Sequence, residues 1–267
     1  MIAWGSLPFG TPLNSLRDLF ERRAGADPVT ATLLAFDTAT ERMTVALQHG
    51  ERIFAHDDAG GALASARLLP AIFALLAEAQ IALADVDAIA FGRGPGAFTG
   101  LRTACSAAQG LALGAGKPVL PIDTLLAVAE DARAAGLAPA RVWALIDARM
   151  DQIYGAEYEH VDGRWATRVA PLLTDCEELA LRWRDTPPEA VAGNALLAFG
   201  ARLQCGPAAA APQATPSARA LLRVAARGWA DGAAVDAALA LPLYVRDKVA
   251  QTSAERAALA DAKAARP

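Results

Sequence analysis

Cysteine, histidine and contiguous positive charge are all scarce in this chain of 267 residues, and each scarcity removes a class of function. The three cysteines, Cys105, Cys176 and Cys205, lie far apart, are odd in number and include no Cys-x-x-Cys. Neither a disulfide framework nor a zinc site is therefore expected; they read as small buried residues of a reducing compartment. The histidines, His49, His56 and His160, are isolated. Lys and Arg number 25 against 29 Asp and Glu, a net charge of −4, and no basic run occurs. A chain that gripped nucleic acid alone would carry a basic face. The longest uninterrupted apolar run, residues 68–77, is about half a membrane span. No basic-then-apolar leader opens the sequence, so neither a membrane anchor nor secretion is expected.

Small apolar residues are abundant. Hydrophobic residues make up 54% of the chain, with much alanine among them, the composition of packed helices. The most informative segment is Gly92-Arg-Gly-Pro-Gly-Ala-Phe-Thr-Gly-Leu-Arg102. An apolar strand-like run (86–91) precedes it and a breaker-free run of small residues (99–115) follows. That is a strand, a tight glycine loop and a helix, with Thr99 as the expected cap. Glycines permit backbone angles that a side chain forbids, and the first amides of such a helix, with its positive dipole end, form an anion site. Arg93 and Arg102 would add charge. A tight turn joining two packed elements accounts for the same letters. The loop lacks the Gly-Lys-Ser/Thr ending of a Walker A motif. It matches a relaxed dinucleotide fingerprint only in letters, because Pro95 stiffens it and no acid ends a strand about twenty residues on.

The sequence predicts strands at 32–37, 43–48, 52–56 (the last without an obvious buried pattern), 86–91 and 119–122, with helices at 62–79, 99–115 and 124–135. A second series starts at 141, with strands at 141–147, 152–159 and 164–171 and a helix after Asp175. Three strands in a meander, then alternating helices and strands, occur twice. This predicts an α/β protein of two ribonuclease-H-like lobes, as in actin and sugar kinases: mixed sheets flanked by helices, over 31–135 and 136–250. A loosely held extension (1–30, with a capping box at Ser15 to Asp18) and a frayed tail (251–267) flank them. Residues 206–216 read as a surface loop.

Asp37 ends the first strand and is followed by Thr38 and Thr40. At that position a carboxylate can face nucleotide phosphates and hold Mg²⁺ through water, or it can cap a turn. Asp147 and Arg149 end the matching strand of the second half, where a strand-locking ion pair competes with a catalytic role. Asp151 and Glu157 read as surface charges. No acids are paired at a spacing that general acid/base chemistry requires. Ser65 and Ser106 have no histidine nearby in sequence, so no nucleophile pair is evident. The helix at 62–79 carries only Arg67 and Glu78 as charges, and the helix at 99–115 only Arg102. A helix lying on a sheet should keep one polar face, so these are covered either by the chain itself or by a partner.

Taken in order, four motifs resemble the TsaB family: Leu33-Leu-Ala-Phe-Asp-Thr-Ala-Thr-Glu41, the glycine loop, Ala108-Gln-Gly-Leu-Ala112 and Ala144-Leu-Ile-Asp-Ala-Arg-Met150. The ending Pro242-Leu-Tyr-Val-Arg-Asp-Lys-Val-Ala250 is similar too, so the resemblance spans about 32–250. It implies a cytoplasmic, non-catalytic activating and dimerisation subunit of the machinery that places threonylcarbamoyl on an adenosine of tRNA. The implied partners are the catalytic subunit TsaD and the ATPase TsaE, with a homodimer when TsaD is absent, tRNA met only through the complex, and no membrane. The His-x-x-x-His metal pair of TsaD has no counterpart here. The resemblance places the partner interface on the two uncharged helices, with Ala107 and Leu111 at its centre beside Ala104, and Leu68 and Ile72 opposite. Nucleotide or phosphate candidates are Asp37, Gly94, Gly96, Thr99, Gly100 and Arg102. No tightly bound cofactor is expected, ATP or ADP and Mg²⁺ entering at the level of the complex. The alternatives are an independent phosphotransferase or ATPase of this fold and, third, a peptidase.

Overall fold

The computed structural model describes residues 30–246. The expected extension, its capping box and the expected tail lie outside that range.

Two five-stranded sheets share one plan. Strands β1 (Leu33–Asp37), β2 (Arg42–His49) and β3 (Arg52–Ala59) form an antiparallel meander. β4 (Ala88–Gly94) and β5 (Val119–Asp123) then add in parallel beside β1, giving the order β3-β2-β1-β4-β5. The second sheet repeats this with β6 (Arg141–Arg149), β7 (Gln152–Val161), β8 (Arg164–Thr174), β9 (Ala190–Ala192) and β10 (Ala209–Ala211), ordered β10-β9-β6-β7-β8. The duplicated meander-then-crossover plan is the two-lobed α/β architecture expected from the order of elements.

Helices fill the layers between and outside the sheets: α1 (Ala64–Ala79), α2 (Phe98–Ala115), α3 (Thr124–Ala134), α4 (Cys176–Asp185), α5 (Ala195–Phe199) and α6 (Ala218–Ala230). Every residue of β1 is buried, because its alternating side chains serve two cores. Leu34 and Phe36 meet α1 and α2 on one face, while Leu33 and Ala35 meet α6 on the other. The α6 side of the sheet is mostly small (Ala35, Ala46, Ala88, Ala90), which leaves room for Trp229, Leu221 and Leu222. Helix α3 packs on the second sheet, whose outer face takes α4 and α5.

The lobe boundary at 135/136 needs correction. Helix α6 lies far along the chain yet packs on β1, β2, β4 and β5, so the first lobe is completed by a segment from beyond the second. The segment 240–246 then runs back across both. The Leu243 amide donates to the Arg93 carbonyl at 2.7 Å, and Arg246 donates to the Ala148 carbonyl and Gln152 Oε1, each at 2.9 Å.

The membrane-span expectation also needs adjusting. Together with the 3-10 turn before it, α1 makes a 19-residue helix, Gly61–Ala79, long and apolar enough to cross a membrane. Its inner residues Leu68, Ile72, Leu75 and Leu76 belong to the core over the first sheet, and Arg67 pairs with Asp58 of β3 at 2.9 Å. It is the layer helix of this fold.

Candidate functional site

The glycine loop leaves β4 and enters α2 at the rim of a cleft of about 540 Å³ between the lobes. Glu41, Phe98, Asp147, Arg149, Tyr244 and Arg246 are among its walls. Arg149 reaches across it to pair with Glu41 and also with its neighbour Asp147 at 3.3 Å. The strand-locking reading of Asp147 and Arg149 thus extends between the lobes. Three successive residues of that turn, Arg149, Met150 and Asp151, have positive φ without being glycine, a strained arrangement.

Asp37 is sealed away from the cleft. It is 1% exposed; one carboxylate oxygen accepts from the Ala39 amide at 2.6 Å and the other from the Thr124 hydroxyl at 2.8 Å. The Thr124 oxygen in turn accepts from the Gly94 amide at 3.2 Å. Burial pushes the Asp37 carboxyl up to about 6, against the lowering by those two donors. The metal-facing reading is corrected: with both oxygens taken inside the fold, this carboxylate ties the end of β1 to the start of α3.

The loop is drawn onto the end of β1 rather than held open for a ligand. Thr38 Oγ1 donates to the Gly100 carbonyl at 2.7 Å, and the Ala97 amide donates to the Ala39 carbonyl at 2.7 Å. A Cβ on Gly100 would lie 1.9 Å from the Thr38 carbonyl oxygen, so glycine is required there by close approach. Gly96 sits half-buried at the cleft rim beside Ala39. Thr99 is not the cap; Ala97 precedes the helix with no side-chain cap, and Thr99 lies exposed in the first turn, its carbonyl accepting from Thr103. The two expected cations are turned aside. Arg93 pairs with Asp123 at 2.6 Å, while Arg102 stacks 3.9 Å over the Phe98 ring and donates to the Tyr244 hydroxyl at 3.1 Å. The arrangement fits Mg²⁺ and a nucleotide poorly: the metal carboxylate is enclosed and the flanking charges are engaged.

The two nearly uncharged helices lie side by side over the first sheet. Leu68 and Ile72 on α1, with Ala104 and Leu111 on α2, are buried in the chain's own core. Placing them at an interface with another protein is therefore corrected, since a residue already covered by its own sheet cannot meet a partner. Ala107 is half-buried against the same core. The outward face carries Leu63, Leu69, Phe73 at 51% exposure and Leu113 at 81%. The sequence held a signal for this: Leu68, Ile72, Leu75, Leu76 and Ala79 follow helical spacing on one face, which sends Leu69 and Phe73 to the other.

Among the described residues no group of three or more His, Cys, Asp or Glu stands close enough to hold a metal ion. Burial raises the thiols of Cys105, Cys176 and Cys205, which keeps them protonated and weakly nucleophilic.

A family model described as "TsaD: tRNA N6-adenosine threonylcarbamoyltransferase" matches residues 61–205. The "tRNA threonylcarbamoyladenosine biosynthesis protein TsaB" of Escherichia coli is 33% identical over 233 residues, 82% of this chain and 96% of that protein. The protein of the same name from Haemophilus influenzae is 48% identical over 124 residues, 46% of this chain and 52% of that protein. Among solved structures, "YeaZ from Pseudomonas aeruginosa" superposes with a TM-score of 0.73 at 40% identity, over 80% of this chain and 99% of that one. With a relative matched along nearly its whole length and the same two-sheet plan, this chain belongs to the TsaB family.

Proposed function

We propose that the chain is a non-catalytic, activating subunit in the formation of threonylcarbamoyladenosine on tRNA, acting through the outer face of α1 and α2. The observation that carries this is the exposure of Leu69 and Phe73, one helical turn apart on α1, with Leu63 just before α1 and Leu113 near the end of α2 exposed as well. Fully burying a Phe or Leu side chain is favourable by about 1.5–3 kcal/mol; these side chains are partly covered already, so the gain per residue is smaller, and their number on these two helices favours a partner. That partner is a TsaD-like catalytic subunit, with the ATPase TsaE joining the assembly and a second copy of this chain taking its place when TsaD is absent. The name of the E. coli relative supports the reaction. A tRNA-modifying complex works in the cytoplasm, and tRNA, ATP or ADP and Mg²⁺ enter at the level of that complex.

An independent phosphotransferase would need a carboxylate open to metal and phosphate, and Asp37 is enclosed. A peptidase would need an activated nucleophile; among the described residues His49 is bonded to Thr32, and no serine or cysteine is bonded to a histidine. The test is size-exclusion chromatography of the chain with TsaD. A stable complex, lost in Phe73→Asp, is expected; separate elution of wild-type chain and TsaD would refute the reading.

A further inference from the structure

We propose that the outer face of α6 is a contact surface for the phosphate backbone of an RNA, an inference that rests on the tRNA reading above. Arg219, Arg223 and Arg227 recur every fourth residue, about 6 Å apart along the helix. All three are exposed, and α6 contains no acidic residue, although the chain as a whole carries −4. No basic run exists in the sequence; the row forms only when the helix winds. The inner face of α6 is clamped on the first sheet by Leu221, Leu222 and Trp229, so the arginines project from a fixed rod. α6 lies on the opposite side of that sheet from α1 and α2, which leaves the proposed protein interface free.

The neighbouring acids are already committed. Arg223 is paired with Glu130 at 2.5 Å, and the other Glu130 oxygen accepts from Trp165 Nε1. Asp131 accepts from Ser217 and the Thr215 amide, and Asp231 is paired with Arg164. Among the described residues Arg219 and Arg227 have no ion pair. The local field supports this: the His160 imidazole is held below its usual range by burial, then by Arg133, with Glu130 opposing and Arg227 adding. A cation in the last turn, as Arg227 is, stabilises any helix. That does not account for Arg219, which stands in the first turn, where positive charge opposes the dipole. Evenly spaced point charges without a shaped pocket suit phosphate contacts, which position a nucleic acid without reading its bases.

The test uses the full chain in complex with TsaD, titrated with unmodified tRNA over a series of KCl concentrations. The double variant Arg219→Gln, Arg227→Gln should flatten the slope of log K against log salt by about 1.4–1.8, two contacts at roughly 0.7–0.9 each. The complex and its melting temperature should stay as they were. The corresponding double lysine variant should keep the wild-type slope, and Arg184→Gln on α4, on the outer side of the second sheet, should too. An unchanged slope in the double glutamine variant overturns the proposal. So does loss of TsaD binding, because α6 would then be a protein contact. A wild-type complex that binds tRNA with the stated slope but never modifies it would sink the functional reading and leave this surface standing.

Discussion

Gly92 has no side chain because Asp37 occupies the space: a Cβ built on Gly92 would stand 1.7 Å from Asp37 Oδ2. The first glycine of the loop and the last residue of β1 are thus one packing unit. The phosphate-like motif owes this position to the buried carboxylate rather than to a ligand.

Gly92→Ala should therefore destabilise the chain by about 3 kcal/mol, the upper range for an overpacked core site. Gly110 provides the contrast, since its Cβ would meet nothing within 4 Å in mid-helix. Gly110→Ala should stabilise by about 0.5–1 kcal/mol through helix propensity. Urea unfolding of both variants checks the pair, and equal effects would contradict it.

Asp37 makes a prediction about pH. Its carboxyl is raised from 3.8 to about 6 in the folded chain, so the native state holds the proton more tightly than the unfolded state. Its contribution to stability is fully present below about pH 4 and is lost as pH rises through 6. Asn at this position carries no charge to bury. The stability difference, Asp37→Asn minus wild type, should grow by about 2–2.5 kcal/mol between pH 4 and 7, read from urea melts at each pH. A difference that stays flat would mean that Asp37 is already ionised and solvated.

Adjacent residues on α1 should behave oppositely. Ile72→Ala removes a fully buried side chain and should destabilise by about 2–5 kcal/mol. Phe73→Asp should leave the melting temperature nearly unchanged and abolish association. If Phe73→Asp unfolds the chain instead, the outer face of α1 is covered internally.

Arg246 ties the end of the 240–246 segment to the second lobe, so Arg246→Ala should loosen that end. Loss of the bonds to Ala148 and Gln152, each about 1 kcal/mol, should speed exchange of the Leu243 amide by roughly tenfold or more. Hydrogen exchange measures this directly, and unchanged protection would show that the segment is held elsewhere.

The first half and the second meander were legible in the sequence because their signals are local, and the order of elements disclosed the duplication. The third strand lacks a clear buried pattern, being mostly exposed; the three-residue β9 and β10, the latter inside the expected loop 206–216, and helices α5 and α6 were not read from the sequence. What escaped depends on distant partners. The enclosure of Asp37 needs Thr124, 87 residues away, and completion of the first lobe needs α6. The orientation of α1 and α2 escaped for another reason. On α1 only the spacing of its large residues marks the inner face, and on α2 the exposed Thr99, Arg102 and Ser106 mark the outer one; the shortage of charge on both helices hides this and makes Leu68, Ile72, Ala104 and Leu111 read as a surface. The arginine row on α6 is written with a four-residue period, so it does not show as a basic run.

The central claim is that this chain works by lending its α1–α2 face to a catalytic partner. The most direct measurement is threonylcarbamoyladenosine formation on tRNA in a reconstituted reaction containing TsaD and TsaE, with wild-type chain, Phe73→Asp, Leu113→Glu, or the chain alone. The account predicts full activity with wild type, none with the chain alone, and loss of at least about tenfold with either folded variant. Full activity from the variants, or turnover by the chain alone, would contradict it.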